Sequence, residues 1–583
     1  MAIKNSRPMK FTPKGVTDTF DASERFPGAC QRLENLIFDQ ANPELVVSRP
    51  GVITLANFIA GGFLTPTFIS LQAAIGPRIY GMVATSLNAG HDQPFIYDTS
   101  TGSFIAITGI TGANTPVSPS QTGDWTPPTL AAVGTMVIVT HPGFSGAAGH
   151  FFGWFDVTNP AAPTWQDGNT ATHALPAVPI AVANFNNRAF FAVGPTATSP
   201  PNQIWFTDVL TNPPTVTNAD QFDVVGDQQP ITALSGLPVT TTSSGIIGAL
   251  TIFKATQLWQ FTGDYTAKNT ALVQVSLTIG TTSPRSVANC PSGLYFAGAG
   301  GPYLLDQLGI VRAVTNSIQG LDPDINVAFQ NAQTPSRWAG AYIATTYRIC
   351  GQTTLRGIGQ FVDYWFDEHR RRWSGPHSYI YDCATAINGY FVLSSVNNPG
   401  QLVKSEPTPT GASVYTDLSS PTSFLLLSST FPKTNEEMMK QVAESTIELA
   451  VTNGAVTYHI VAQNEQGGSL GEVDITVADG PIWDFAMWDV DSWGSSHTWG
   501  GGEIWGAPPV GSGAIWGAAQ AIPHTYPVQW AAPLVFDKMQ LQISGDASAA
   551  VGIGAFYARY QATGYQAWVA GAQVSILGTS NGV

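Results

Sequence analysis

Met136-Val-Ile-Val139, then Gly153-Trp-Phe-Asp156, then Thr158-Asn-Pro160: this stretch reads as two short apolar strands closed by an aspartate-led turn. The second member recurs. Phe95-Ile-Tyr-Asp98, Ile204-Trp-Phe-Thr-Asp208, Leu258-Trp-Gln-Phe-Thr-Gly-Asp264, Tyr303-Leu-Leu-Asp306 and Tyr364-Trp-Phe-Asp367 repeat it at intervals of 42 to 61 residues. A weaker copy ends at Gln401-Leu-Val-Lys404. First members are also legible in Arg188-Ala-Phe-Phe191, Gly293-Leu-Tyr-Phe296 and Tyr390-Phe-Val-Leu393. A few strands per repeat cannot bury both faces of one small sheet. Stacked radially, each sheet covers its neighbours and the aromatics fill the space between them. The repeat therefore predicts a β-propeller, and the uneven spacing predicts irregular blades with long insertions.

Working outward, the reading is an all-β chain in three parts. Residues 1–80 form an N-terminal segment, 81–430 the propeller and 431–583 a further β-rich region. Pro27 followed by Ala29, Leu33, Leu36 and Ile37 has helical spacing, which predicts one short N-terminal helix. Ser445-Thr-Ile-Glu-Leu-Ala-Val451 alternates like a strand, and Thr452-Asn-Gly454 reads as a hairpin turn.

Composition bounds the function. Of 583 residues 24 are basic and 39 acidic, a net charge of −15, which argues against gripping nucleic acid through its phosphates. Charged residues are only 11%, against about 25% in ordinary domains. No glutamate stands between Glu44 and Glu368. Such a surface suits a permanent assembly better than a free monomer. The four cysteines show no metal-binding spacing and form no disulfide framework. No secretory signal is read at the N-terminus, and Gly51–Pro77 is too interrupted by Gly and Pro to be a membrane span.

Candidate chemistry is sparse. Gly467-Gly-Ser-Leu-Gly471 has the letters of a nucleophile elbow, but the strand-like Glu472–Val477 follows it, so it reads as a hairpin turn. Asp322-Pro-Asp324 lacks the glycine and the final glutamate of a calcium loop. The histidines have no zinc spacing. The expectation is a protein that is not an enzyme and needs no cofactor or metal. Two segments stand out as contact candidates. Trp488, Trp493, Trp499, Trp505 and Trp516 thread a glycine-rich stretch at about 481–530, which packs on its own domain, on a neighbouring subunit or on a glycan. Arg370-Arg371-Arg372 is the one basic run, either a solvated turn or a contact to an acidic partner.

Several segments together resemble the tail nozzle proteins (tail tubular protein B-type, or tail hub) of short-tailed bacteriophages. They are Leu33-Glu-Asn-Leu-Ile37 with Leu45-Val-Val-Ser-Arg49-Pro50-Gly51, and Thr282-Ser-Pro-Arg-Ser-Val287 with Gly293–Phe296 and Gly300–Gly309. Pro533-Leu-Val-Phe536 and Tyr557-Ala-Arg-Tyr560 complete the set. The resemblance implies a structural virion protein of the tail, made in the host cytoplasm. It implies a homo-oligomer, a hexameric ring below the portal and the head-to-tail adaptor protein, in contact with tail fibre or needle components. Such a ring continues the channel for double-stranded DNA without sequence-specific contacts, retains the genome and conducts it at ejection. An acidic wall would let DNA slide rather than stick. The alternative is a propeller that binds a surface glycan through the tryptophan stretch, as a receptor-binding protein.

Overall fold

The computed structural model describes residues 7–16, 28–40, 42, 44–59, 67–73, 75–84, 90–118, 124–169, 175–194, 201–209, 212–217, 220–224, 227–242, 245–263, 270–314, 325–355, 358–409, 413–431, 438–452, 454–478, 523–547, 549–565, 567–569 and 572–574. Among them, seven four-stranded antiparallel sheets follow one another along the chain. The first runs Thr67–Ala73, Arg78–Ala84, Asp92–Asp98 and Ser103–Phe104. The sixth runs Ala339–Ile343, Thr346–Leu355, Ile358–Asp367 and Arg372–Ser374. Every aromatic marker of the sequence repeat falls on the third strand of a sheet, from Asp92–Asp98 in the first to Gln401–Ser405 in the seventh.

The sheets are blades of a propeller. Seven apolar clusters lie between them, one for each adjacent pair. Ile138, Phe152 and Trp154 of the second blade meet Val182, Phe191 and Trp205 of the third. Val52, Phe391, Leu393 and Val403 close the seventh against Ala339, Ala341 and Cys350 of the sixth. Some of these contacts need a missing side chain. A Cβ on Gly153 would stand 2.0 Å from the Trp165 ring, so glycine there admits a tryptophan that is 1% exposed. The marker aspartates turn the chain after the third strand. Asp98 accepts from the Ser100 hydroxyl at 2.5 Å and amide at 2.9 Å, and Asp156 from the Thr158 hydroxyl at 2.6 Å and amide at 3.0 Å; these bonds, the hydroxyl ones first, hold both carboxyls below the usual range.

The seventh blade takes three strands from Ala384–Ile387, Tyr390–Ser394 and Gln401–Ser405. Its outer strand is Ile53–Asn57, from before the first blade. This pairing fastens the ring end to end. The propeller thus occupies 53–405, starting and ending earlier than the expected 81–430.

The remaining strands form one β-sandwich from both ends of the chain. One sheet holds Leu36–Phe38, Val46–Ser48, Ala550–Tyr565, Met438–Thr452 and His524–Pro527, with Arg7–Phe11 along Ala550–Tyr565. The other holds Ala29–Glu34, Ser420–Ser428, Met539–Ala547, Ala455–Asn464 and Ser469–Ala478. Leu36, Phe38, Ile447, Leu449 and Val551 of the first pack on Leu33, Leu426, Tyr458, Ile460 and Leu541 of the second. The propeller is therefore an insertion in the sandwich.

The expected N-terminal helix is corrected. Ala29–Glu34 and Leu36–Phe38 are strands, separated by Asn35 at φ 55°, a left-handed conformation that no α-helix contains. Apolar residues at helical spacing here belong instead to two sheets that meet at a sharp turn. The Gly467–Gly471 stretch closes a hairpin, with Gly467 and Gly468 in the turn after Ala455–Asn464 and Ser469–Gly471 opening the strand Ser469–Ala478. Among the described residues no helix is long and apolar enough to cross a membrane.

Candidate functional sites: the axial cavity and the domain junction

The first strands of the blades surround a cavity of about 430 Å³ on the propeller axis. Its wall is built of small and neutral residues, among them Ala131, Ala183, Gly236, Gly340 and Ala384, with Ser70, Thr129, Asn184, Ser235, Asn289, Tyr342 and Thr385. Of the lining residues only Arg285 is charged, and none is a carboxylate. Arg285 sits in the 3-10 turn Pro284–Ser286 that leads into the fifth blade. Its Nη1 donates to the Cys383 sulfur at 3.0 Å, and burial pushes that thiol up to about 12. The thiol is therefore a poor nucleophile at neutral pH.

A strap crosses this end of the cavity. Residues Asp124–Pro128 precede the second blade yet reach the fifth and sixth. The Ser336 amide donates to Asp124 at 3.0 Å and its hydroxyl to the Trp125 carbonyl at 2.6 Å. The Trp125 ring lies 5.7 Å from the Arg285 guanidinium carbon. At the other end, near the hairpin turns, Asn184 and Asn289 are exposed. There Glu368, the first glutamate after the long gap, accepts from the Tyr342 and Ser292 hydroxyls and ties the fifth blade to the sixth.

The second site is where the propeller joins the sandwich. Arg49 is 2% exposed. Its Nη1 donates to Asp417 at 3.0 Å, its Nη2 to the other oxygen of the same carboxylate, and its Nε to Asn35 at 2.9 Å. Asn35 accepts from the Ser378 amide at 3.1 Å, and its own amide N–H donates to His377 Nδ1 at 3.0 Å. Burial, then the charges of Arg49 and Arg348, push His377 well below its ordinary pKa, so its imidazole is neutral and accepts. Gly51 passes so close to the returning chain that a Cβ would stand 2.2 Å from the Thr416 oxygen. Trp365 of the sixth blade packs on Ile37, Leu45 and Val47 of the sandwich. Beside it Arg348 and Asp363, both fully buried, pair at 2.7 Å under the Trp365 and Tyr381 rings.

Sequence reasoning had singled out Arg49, Pro50 and Gly51, and they meet at this junction. The basic run is divided. Arg370 ties back to Asp367 at 3.0 Å, Arg371 is exposed, and Arg372 lies over the Phe38 ring of the sandwich. Trp488, Trp493, Trp499, Trp505 and Trp516 lie outside the described residues, as do Asp322 and Asp324. Trp530 is described and donates to Ser445 at 2.9 Å. Arg285 entered the sequence reading only within Thr282–Val287 and His377 only among histidines without zinc spacing, and the strap carries no local motif.

One buried set has the members of a catalytic triad in another order. His141 Nε2 meets Asp92 at 2.7 Å, Ser118 donates to the same carboxylate, and the Gly143 amide donates to His141 Nδ1 at 2.9 Å. The carboxylate stands between serine and histidine, so the imidazole does not face the hydroxyl, and both ring nitrogens are engaged. The set fastens two blades.

No family model matches the chain, and no curated protein matches it. Solved structures match at the level of an overall β-propeller fold. The exo-β-1,3-galactanase of Phanerochaete chrysosporium has a TM-score of 0.26 at 10% identity, covering 74% of this chain and 95% of that one. A family 43 arabinoxylan arabinofuranohydrolase of Bacillus subtilis has a TM-score of 0.22 at 8% identity, covering 86% and 98%. The acylaminoacyl peptidase of Pyrococcus horikoshii has a TM-score of 0.34 at 8% identity, covering 63% and 58%. The expectation that the chain is not an enzyme is corrected here. The solved structures that the chain resembles in fold include glycoside hydrolases.

Proposed function

We propose that the chain is a structural virion protein, a tail nozzle of a short-tailed bacteriophage. In this reading it assembles as a homo-oligomeric ring, a hexamer, below the portal and adaptor and conducts the genome at ejection. The observation that carries the reading is where the nozzle-like segments fall. Arg49-Pro50-Gly51 crosses from sandwich to propeller beside Asp417. Thr282–Val287 and Gly293–Gly309 build the fifth blade, and Pro533–Phe536 and Tyr557–Tyr560 belong to the sandwich. Of these, Arg49-Pro50-Gly51 lies at the junction of the two units, and the others build the interior of one unit each.

In this reading the propeller axis is too narrow to be the path of the DNA. A first strand of five residues, such as Thr129–Val133, is about 17 Å long at roughly 3.3 Å per residue. Spread over that length, about 430 Å³ leaves a bore roughly 6 Å across, half the ~12 Å width of one DNA major groove. A duplex cannot use the propeller axis, so the conduit runs between subunits.

Native mass measurement and imaging of the purified full-length protein test the reading. A six-fold ring with a wide central opening is expected. A stable monomer that does not join a tail complex overturns it.

A further inference from the structure

We propose that the axial cavity of the propeller is a binding site for a small organic anion, held at the end that the Asp124–Pro128 strap closes. The inference stands apart from the nozzle reading and rests on three observations. The first is size. About 430 Å³ lies within the roughly 300–1,000 Å³ of small-molecule sites. It suits one sugar-acid-sized molecule.

The second is charge. The chain as a whole is strongly acidic, at −15. Yet the lining residues comprise neutral side chains and one guanidinium, with no carboxylate. In a narrow bore with low-dielectric walls that charge is weakly screened, so it favours an anion over a neutral or cationic solute. Neutral donors and acceptors stand along the rest of the wall: Thr129, Ser235, Asn289, Tyr342 and Thr385. They match hydroxyl groups on the ligand.

The third is closure. Asp124 and Trp125 are anchored on Ser336 across the bore, and the Trp125 indole roofs Arg285. The cavity is a cup with its cation at the roofed end and the exposed Asn184 and Asn289 at the opposite mouth. A ligand enters between the asparagines and places its anionic group toward Arg285.

The test uses the full chain with glucuronate as probe and glucose as its neutral counterpart, read by calorimetry at fixed ionic strength. Glucuronate is expected to bind saturably with one site per chain, glucose at least tenfold more weakly, and Arg285→Gln to weaken glucuronate at least tenfold. On the wild-type protein, glucuronate is expected to raise the thermal unfolding midpoint in a concentration-dependent way, and glucose at the same concentration to leave it unchanged. The second measurement needs no variant, so it decides the matter even if Arg285→Gln does not fold. No saturable binding, equal binding of glucose and glucuronate, an unchanged affinity in a folded Arg285→Gln protein, or no rise of the wild-type midpoint with glucuronate overturns the proposal.

Discussion

Arg49 and Asp417 are 368 positions apart and joined by a two-pronged ion pair, one prong at 3.0 Å, at the point where the chain passes into the propeller and out again. The arginine side chain is fully buried and the aspartate is one-fifth exposed. Removing either partner leaves the other charge in a partly dry place. Arg49→Ala is expected to lower stability by about 3 kcal/mol, within the range for breaking a buried pair. Urea unfolding checks this, followed separately by tryptophan fluorescence and by proteolysis of the junction. An unchanged midpoint refutes it.

Gly51→Ala tests the same crossing without touching a charge. The added Cβ would meet the Thr416 backbone at 2.2 Å, and backbone cannot step aside as a side chain can. The expected cost is about 1–3 kcal/mol, the usual range for overpacking. Thermal unfolding should show a clear fall in midpoint. Gly389→Ala meets nothing within 4 Å, though its φ of 86° carries its own strain, and it should cost less.

The junction should weaken in mild acid. His377 is neutral in the fold because burial and the positive Arg49 and Arg348 depress its pKa. The unfolded chain binds a proton near pH 6.5, so below that pH it holds more protons than the folded one. The stability contributed is complete above about pH 6.5 and is lost as pH falls, at up to ~1.4 kcal/mol per pH unit. Asp363, raised by burial, acts in the opposite sense from its raised pKa down to 3.8. Urea midpoints at pH 7.5, 6.5 and 5.5 should fall in the wild type and fall less in His377→Gln. Parallel lines for the two proteins contradict the assignment.

Glu368 should fasten the fifth and sixth blades. Glu368→Ala removes the acceptor of two hydroxyls, Ser292 and Tyr342, in a half-buried place. A loss of about 1–3 kcal/mol is expected. Burial, and then the bond to Glu368, raise the Tyr342 pKa. In the variant that tyrosine should ionise at lower pH, which a spectroscopic titration would detect. A Tyr342 titration that does not move shows that the carboxylate has no hold on it.

What was legible in the sequence was what repeats locally. The aromatic strand and its aspartate turn occupy a dozen residues, and each stands on the third strand of a blade. What was not legible depends on partners far along the chain. Ile53–Asn57 completes the blade of Gln401–Ser405, and nothing near it announces that pairing. Ala29, Leu33, Leu36 and Ile37 fit a helical stripe as well as two strands until Asn35 is known to be left-handed. About half of the cavity wall is alanine, glycine, serine and threonine, which carry no motif. Arg49 was singled out through a resemblance, and its role came only with Asp417, Asn35 and Ser378 around it.

The insertion of one unit within the other also imposes a schedule on synthesis. Ser48 and Val551 share a hydrogen bond across 503 positions, a gap of roughly 25 to 100 s at ~5–20 residues per second on the ribosome. The propeller can latch as soon as Gln401–Ser405 emerges to meet Ile53–Asn57. The opening strands of the sandwich must wait for the last ones. During that interval Ala29–Glu34 and Val46–Ser48 each present one open edge on a growing chain, the first until Ser420–Ser428 emerges and the second until Ala550–Tyr565 does.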